Sequence, residues 1–158
     1  MTKRFSIRFV LCFVAVSCVL VAVFASRRRQ HMQLATSQRQ LYELGVGTGT
    51  SPPLNSSYQK LMVWSGVDNI AFCDLTSAWV PSGDGMTETR FRQIVNELQY
   101  FSSLEHLDLS GFHDLSDNTI KILPAFNNLD EIDVSGTLLS KQGLDWLRQK
   151  YPDATVKN

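Results

Sequence analysis

The feature that most constrains the fold is a pattern of apolar residues that returns after about 25 positions. Residues 104–109 have the form Leu-x-x-Leu-x-Leu, and residues 129–134 repeat it as Leu-x-x-Ile-x-Val. The stretch 67–72 has the same internal spacing 37 positions before 104, and 153–156 looks like a fourth strand cut short. Alternating apolar residues predict short strands, and a period of this length predicts strand–helix units that stack on one another.

Each predicted strand is followed by a turn and by the start of a helix. Thr87, Ser116 and Ser140 stand where helix N-caps belong, since their side chains can accept bonds from otherwise unpaired amides. Pro124 falls inside the second helical stretch and predicts a short or kinked helix there. The first unit differs from the others by a longer turn and a longer helix.

These repeats resemble the bacterial membrane-anchored leucine-rich-repeat proteins, whose units read roughly Leu-x-x-Leu-x-Leu-x-x-Thr-x-Leu-Thr-Asp-x-Gly-Leu-x-x-Leu. The unit at 129–147 is the most similar, with Ser-Gly-Thr at 135–137 and Gly-Leu at 143–144. The resemblance implies an α/β leucine-rich-repeat solenoid of three full repeats and a partial fourth, with parallel strands and helices, preceded by an N-terminal transmembrane helix. It implies little about function, because one fold hosts many functions.

Charge and hydropathy divide the chain into two regions. Residues 1–39 hold seven basic side chains and no acidic one, so the remainder carries eight basic and fifteen acidic side chains. From Phe9 to Ala25 only Ser17 is not apolar, which predicts a transmembrane helix in a single-pass membrane protein. The resemblance implies that the membrane is the bacterial cell membrane. The alternative is a cleaved signal peptide. Three arginines at 27–29 favour a retained anchor, while the basic residues on both sides leave the orientation open.

The predicted organisation has five parts. They are a basic N-terminus (1–8), the transmembrane helix (9–25), a helical stalk (26–44), a linker and entry to a cap (45–63), and the repeat domain (64–158). The Gly-Val-Gly-Thr-Gly run at 45–49 lacks the flanking elements of a nucleotide fingerprint. The acidic body has no basic stripe, which argues against a nucleic-acid partner.

The repeat geometry predicts which strand side chains lie on the concave surface. They form three lateral rows: Asn69, His106 and Glu131; Ala71, Asp108 and Asp133; Cys73, Ser110 and Ser135. One interpretation is an acidic patch that accepts a partner segment bearing Lys or Arg, or a divalent cation. The other is a solvated face whose acids discourage aggregation.

The same face supplies little for catalysis. Cys73, His106 and Asp108 have the chemical types of a nucleophile, a base and an acid. The predicted register puts His106 diagonally from Cys73, beyond hydrogen-bond reach, and shows no oxyanion hole. We therefore predict no enzyme activity, no cofactor and no metal site. Trp79 falls in a predicted loop, where it is either a contact anchor or part of the cap over the open end of the coil.

The sequence thus favours a membrane-tethered, non-enzymatic protein-interaction module that binds an unknown protein partner on the concave acidic face. The residues predicted to bind are Asn69, Trp79, His106, Asp108, Ser110, Glu131, Asp133 and Ser135. The alternative is a structural, assembly or spacer protein in which the membrane and stalk helices make the contacts and the repeats have no specific ligand.

Overall fold

The computed structural model describes residues 7–50, 75–80 and 86–158, with side chains described from Phe13 onward. Helices and strands follow one another along these residues. They are α1 (Ile7–Glu43), β1 (Gly47–Thr50), β2 (Leu75–Trp79), α2 (Glu88–Leu98), β3 (His106–Asp108), α3 (Asp117–Ile120), β4 (Glu131–Asp133), α4 (Lys141–Lys150) and β5 (Thr155–Lys157).

The strands form one mixed sheet in the order β1-β2-β3-β4-β5. β1 is antiparallel to β2, whereas β2 to β5 are parallel neighbours. In the central row, Ala78 lies beside Leu107, Leu107 beside Ile132, and Ile132 beside Val156. The predicted adjacency of the strands around 107 and 132 is confirmed, and so is the short strand around 156.

Helix starts follow the predicted caps. Thr87 Oγ accepts a bond from the Arg90 amide, Ser116 Oγ from Thr119, and Ser140 Oγ from Gln142 and Gly143, so all three predicted N-caps are confirmed. α3 is a single turn of four residues that ends before Pro124, which confirms the prediction of a short helix.

The core fills the space between the sheet and the helices. Leu107, Leu109 and Ile132 come from strands and their edges, and each is at most 1 % exposed. Phe91 of α2 packs against Phe112, with ring centroids 5.2 Å apart. Because crossovers between parallel neighbours are right-handed, three successive crossovers in one direction put α2, α3 and α4 on the same side of the sheet.

The end of α1 belongs to this core. Leu41 is fully buried and Ser37 is 3 % exposed. Arg90 of α2 donates to the Leu44 carbonyl at 2.6 Å, and Gly45, at φ 77°, turns the chain from α1 into β1. The predicted stalk is thus helical to Glu43, but its last turns pack into the folded body. The predicted linker begins as strand β1, and residues 51–63 lie outside the described part.

The predicted fold class needs correction. The fold is α/β with a mixed sheet, and a leucine-rich-repeat solenoid is not shown. The strand beside Leu107 is β2 at 75–79, not the stretch 67–72, which lies outside the described residues. An antiparallel strand, β1, also pairs with β2, where stacked parallel units would have no such partner.

The predicted transmembrane helix is also corrected. Within the described residues, no helix combines the length and the apolar character needed to cross a membrane, so the single-pass membrane location is wrong as predicted. Arginines at 27–29 follow the apolar run inside α1. The side chains of 9–12, at the start of the predicted span, lie outside the described ones.

Candidate functional site: the open face of the sheet

One face of the sheet carries side chains that point away from the helices. Along β3 and β4 the middle residue is buried and its neighbours are exposed or half-buried. The register aligns these neighbours in two lateral rows, which together we call the open face. The upper row is Ser77, His106, Glu131 and Thr155, and the lower row is Trp79, Asp108, Asp133 and Lys157.

Trp79 begins the lower row on a glycine platform. Gly47 of β1 is its register partner, and a Cβ at Gly47 would come within 1.8 Å of Trp79 Cε2. The indole therefore lies directly on the Gly47 backbone, where any other residue would displace it. Trp79 is nevertheless 47 % exposed, so it presents a positioned aromatic surface to solvent.

Asp108 and Asp133 sit side by side in the lower row, and each is oriented by a serine two residues later. Asp108 Oδ1 accepts bonds from Ser110 N at 2.9 Å and Ser110 Oγ at 2.6 Å. Asp133 Oδ1 accepts from Ser135 N at 2.9 Å. Interaction with the Ser135 side chain, and then with its backbone N–H, holds the pKa of Asp133 below its usual range. Hydrogen bonds from the serines thus fix the direction of both carboxylates, and in Asp133 they favour the ionised form.

Lys157 of β5 is the last residue of the lower row. Its Nζ lies 2.6 Å from Glu131 Oε1 on the neighbouring strand. The hydrogen bond to Glu131 raises the pKa of Lys157, and the charges of Glu131, Asp133 and Asp108 raise it further. The open face therefore already holds one ammonium group in an acidic field.

The structure brings together most of the predicted binding residues. His106 lies beside Glu131 and Asp108 beside Asp133. Ser110 and Ser135 follow the strands and orient the aspartates. Asn69 lies outside the described residues, as do Ala71 and Cys73 of the predicted rows.

The predicted position of Trp79 is wrong, and three residues of the face were missed. Trp79 ends strand β2 beside Asp108 rather than occupying a loop. Ser77 was missed because the first strand was placed too early. Thr155 and Lys157 could have been found by extending the 25-residue register by one more strand.

Chemistry on this face is limited by its geometry. His106 and Asp108 share one strand at positions i and i+2, as the sequence suggested, and Cys73 lies outside the described residues. Among the residues that the structure describes, no cluster of three His, Cys, Asp or Glu side chains could hold a metal ion. The arrangement suits non-covalent contact through one aromatic ring and several charges.

A second exposed surface lies on the first half of α1. Seven apolar side chains there are more than half exposed: Phe13, Val14, Val16, Val19, Leu20, Val21 and Val23. Large exposed apolar patches on proteins are often interaction sites.

Fold and face together define a class of protein: an α/β protein whose described residues form a mixed five-stranded sheet with helices packed on one side and the open face on the other. No protein family, no curated protein and no solved structure matches the chain. The resemblance to bacterial leucine-rich-repeat proteins therefore gains no support from known proteins, and the functional argument depends on the open face itself.

Proposed function

We propose that this is a non-enzymatic interaction protein that binds an extended segment of a partner protein along the open face. The observation that carries the proposal is the half-exposed Trp79, fixed on Gly47 in the same row as two oriented carboxylates, Asp108 on the neighbouring strand and Asp133 on the next. A rigid aromatic side chain loses little conformational entropy on binding, which is why such residues dominate interface energetics.

The shape of the site also favours an extended ligand. The two rows run across four parallel strands at about 4.8 Å per strand, so they cover roughly 14 Å from Trp79 to Lys157. That length accommodates about four residues of extended chain.

Site-specific photo-cross-linking tests the proposal. A photoreactive amino acid is placed at His106 on the open face, with Gln149, an exposed position on α4, as the matched control. We expect one defined cross-linked partner from position 106, none from position 149, and loss of that product when Asp108→Lys and Asp133→Lys are combined. Identical products from both positions, or a product that survives the charge reversal in a folded variant, would contradict the proposal.

A second candidate function is an assembly role in which α1 makes the contacts. The exposed apolar side chains of 13–23 favour it. The same photoreactive residue at Val19 would then link the chain to a neighbouring protein regardless of the charges at Asp108 and Asp133. The double charge reversal therefore separates the two candidates.

A further inference from the structure

The lower row of the open face places an aromatic ring next to two carboxylates. Trp79 and Asp108 are register partners on β2 and β3, and Asp108 and Asp133 are partners on β3 and β4. Neighbouring positions in such a row lie about 4.8 Å apart. The indole leans over Gly47 of β1, on the side of β2 away from Asp108, so a ligand that contacts both must lie across the top of β2. A planar cation several atoms wide has the dimensions for this.

The carboxylates of the lower row have acceptor capacity left over. The Nζ of Lys157 forms its ion pair with Glu131, so among the described residues of the face Asp108 and Asp133 have no cation within ion-pair distance. In Asp108, both bonds from Ser110 go to Oδ1, and among the described residues no hydrogen bond is made to Oδ2. Asp133 is held by Ser135 in the same way, through Oδ1. A partner with positive charge and several N–H donors would complement this row.

Lys157 shows how the face receives a cation. Its ammonium group is held by Glu131 and is stabilised by the charges of all three carboxylates of the two rows. At the other end of the lower row, Trp79 offers an aromatic surface and Asp108 is the neighbouring carboxylate.

A guanidinium suits this end better than an ammonium. It is planar, stacks on indole and presents five N–H donors in a fixed fork, whereas an ammonium is a compact and strongly hydrated charge. Hydrogen bonds between a charged donor and a carboxylate are also the stronger kind.

We infer that the partner segment inserts an arginine whose guanidinium lies against Trp79 and donates to Oδ2 of Asp108, with Asp133 reinforcing the charge. This inference rests on the proposed function and specifies the chemistry of the partner.

The test is an NMR titration of the full chain with three peptides. The probes are Gly-Ser-Gly-Arg-Gly-Ser-Gly and the same peptide with lysine or citrulline in place of arginine. We expect saturable shifts of the Trp79 indole N–H and of open-face amides with the arginine peptide, at least about threefold weaker binding of the lysine peptide, and no saturation with citrulline.

Variants locate the site. Trp79→Leu and Asp108→Asn should each weaken the arginine peptide by about tenfold, as read from backbone amides of β3. Asp145→Asn, which removes an exposed carboxylate from α4, is the matched control and should leave binding unchanged. Unfolding curves of each variant verify that the fold is intact.

Three results would overturn the inference. They are equal binding of the arginine and lysine peptides, unchanged binding in the Asp108→Asn variant, and no saturable shift with any peptide. If the photo-cross-link from His106 is nevertheless found, the proposed function stands and only the arginine specificity fails. If the cross-link is absent as well, both fall.

Discussion

The open face exists because buried and exposed side chains alternate along the strands. Truncating one buried side chain and, separately, its exposed neighbour tests this alternation. Leu107 is 1 % exposed and lies between Ala78 and Ile132 in the central row. Replacing a buried leucine by alanine costs about 2–5 kcal/mol, because the lost transfer energy adds to that of the cavity. Small domains are stable by only about 5–15 kcal/mol. Leu107→Ala should therefore remove a large share of the stability, and Leu107→Asp should unfold the protein.

The matched control is His106→Ala, one residue earlier on the same strand but exposed. It should change stability by no more than about 0.5 kcal/mol. Urea unfolding followed by circular dichroism measures both variants. With a slope of about 1–3 kcal/mol per molar urea, Leu107→Ala should lower the midpoint by roughly 1 M or more while His106→Ala leaves it in place. Equal midpoints for the two variants would refute the assignment of inner and outer faces.

Three further predictions concern the glycine contacts and pH. Gly143→Ala should lower the urea midpoint, because the new Cβ would lie 2.3 Å from Asp117 Oδ1 and disturb its bonds to Ser140. Gly47→Ala should displace Trp79, which a change in the near-ultraviolet circular dichroism and weaker arginine-peptide binding would report. Bonds from the Ser140 side chain and backbone lower the pKa of Asp117, so its stabilising effect is present above the unfolded value near 3.8 and is lost as the pH falls through the folded pKa. The urea midpoint of the natural protein should therefore fall more between pH 7 and pH 3 than that of Asp117→Asn, and parallel pH profiles would contradict this.

The regular part of the fold could be predicted because its signals are local and periodic. Leu107 and Ile132 are 25 residues apart and become direct neighbours. Ser116 and Ser140 could be predicted as N-caps because each stands just before an apolar helical face, where its side chain can accept a bond from an unpaired amide.

The first part of the sheet could not be predicted from the same signals. The stretch 67–72 imitates the repeat spacing, whereas the strand beside Leu107 contributes only the small Ala78 to the central row. β1 is rich in glycine, which is depleted in strands, and its glycine at 47 is explained only by the indole lying on it. The apolar residues of 9–25 were assigned to a membrane span, but no described helix meets the requirements of one.

The candidate site also has one part that could be predicted from the sequence and one part that could not. The side-by-side positions of His106 and Glu131 follow from the repeat period alone. The position of the Trp79 indole on Gly47 depends on the antiparallel pairing of β1 with β2, which are distant in sequence, and no periodic pattern predicts that pairing.

Disulfide trapping across the strands tests the central claim, that the open-face side chains stand in register on neighbouring parallel strands. In a variant with the native cysteines replaced by serine, His106→Cys and Glu131→Cys are combined. Register partners lie about 4.8 Å apart, within the Cα range of about 4.4–6.8 Å that a disulfide bridges. Ser77→Cys with Glu131→Cys, two strands apart, is the control. The account predicts rapid cross-linking of the first pair and none of the second, and the reverse result, or no cross-link in the first pair, would contradict it.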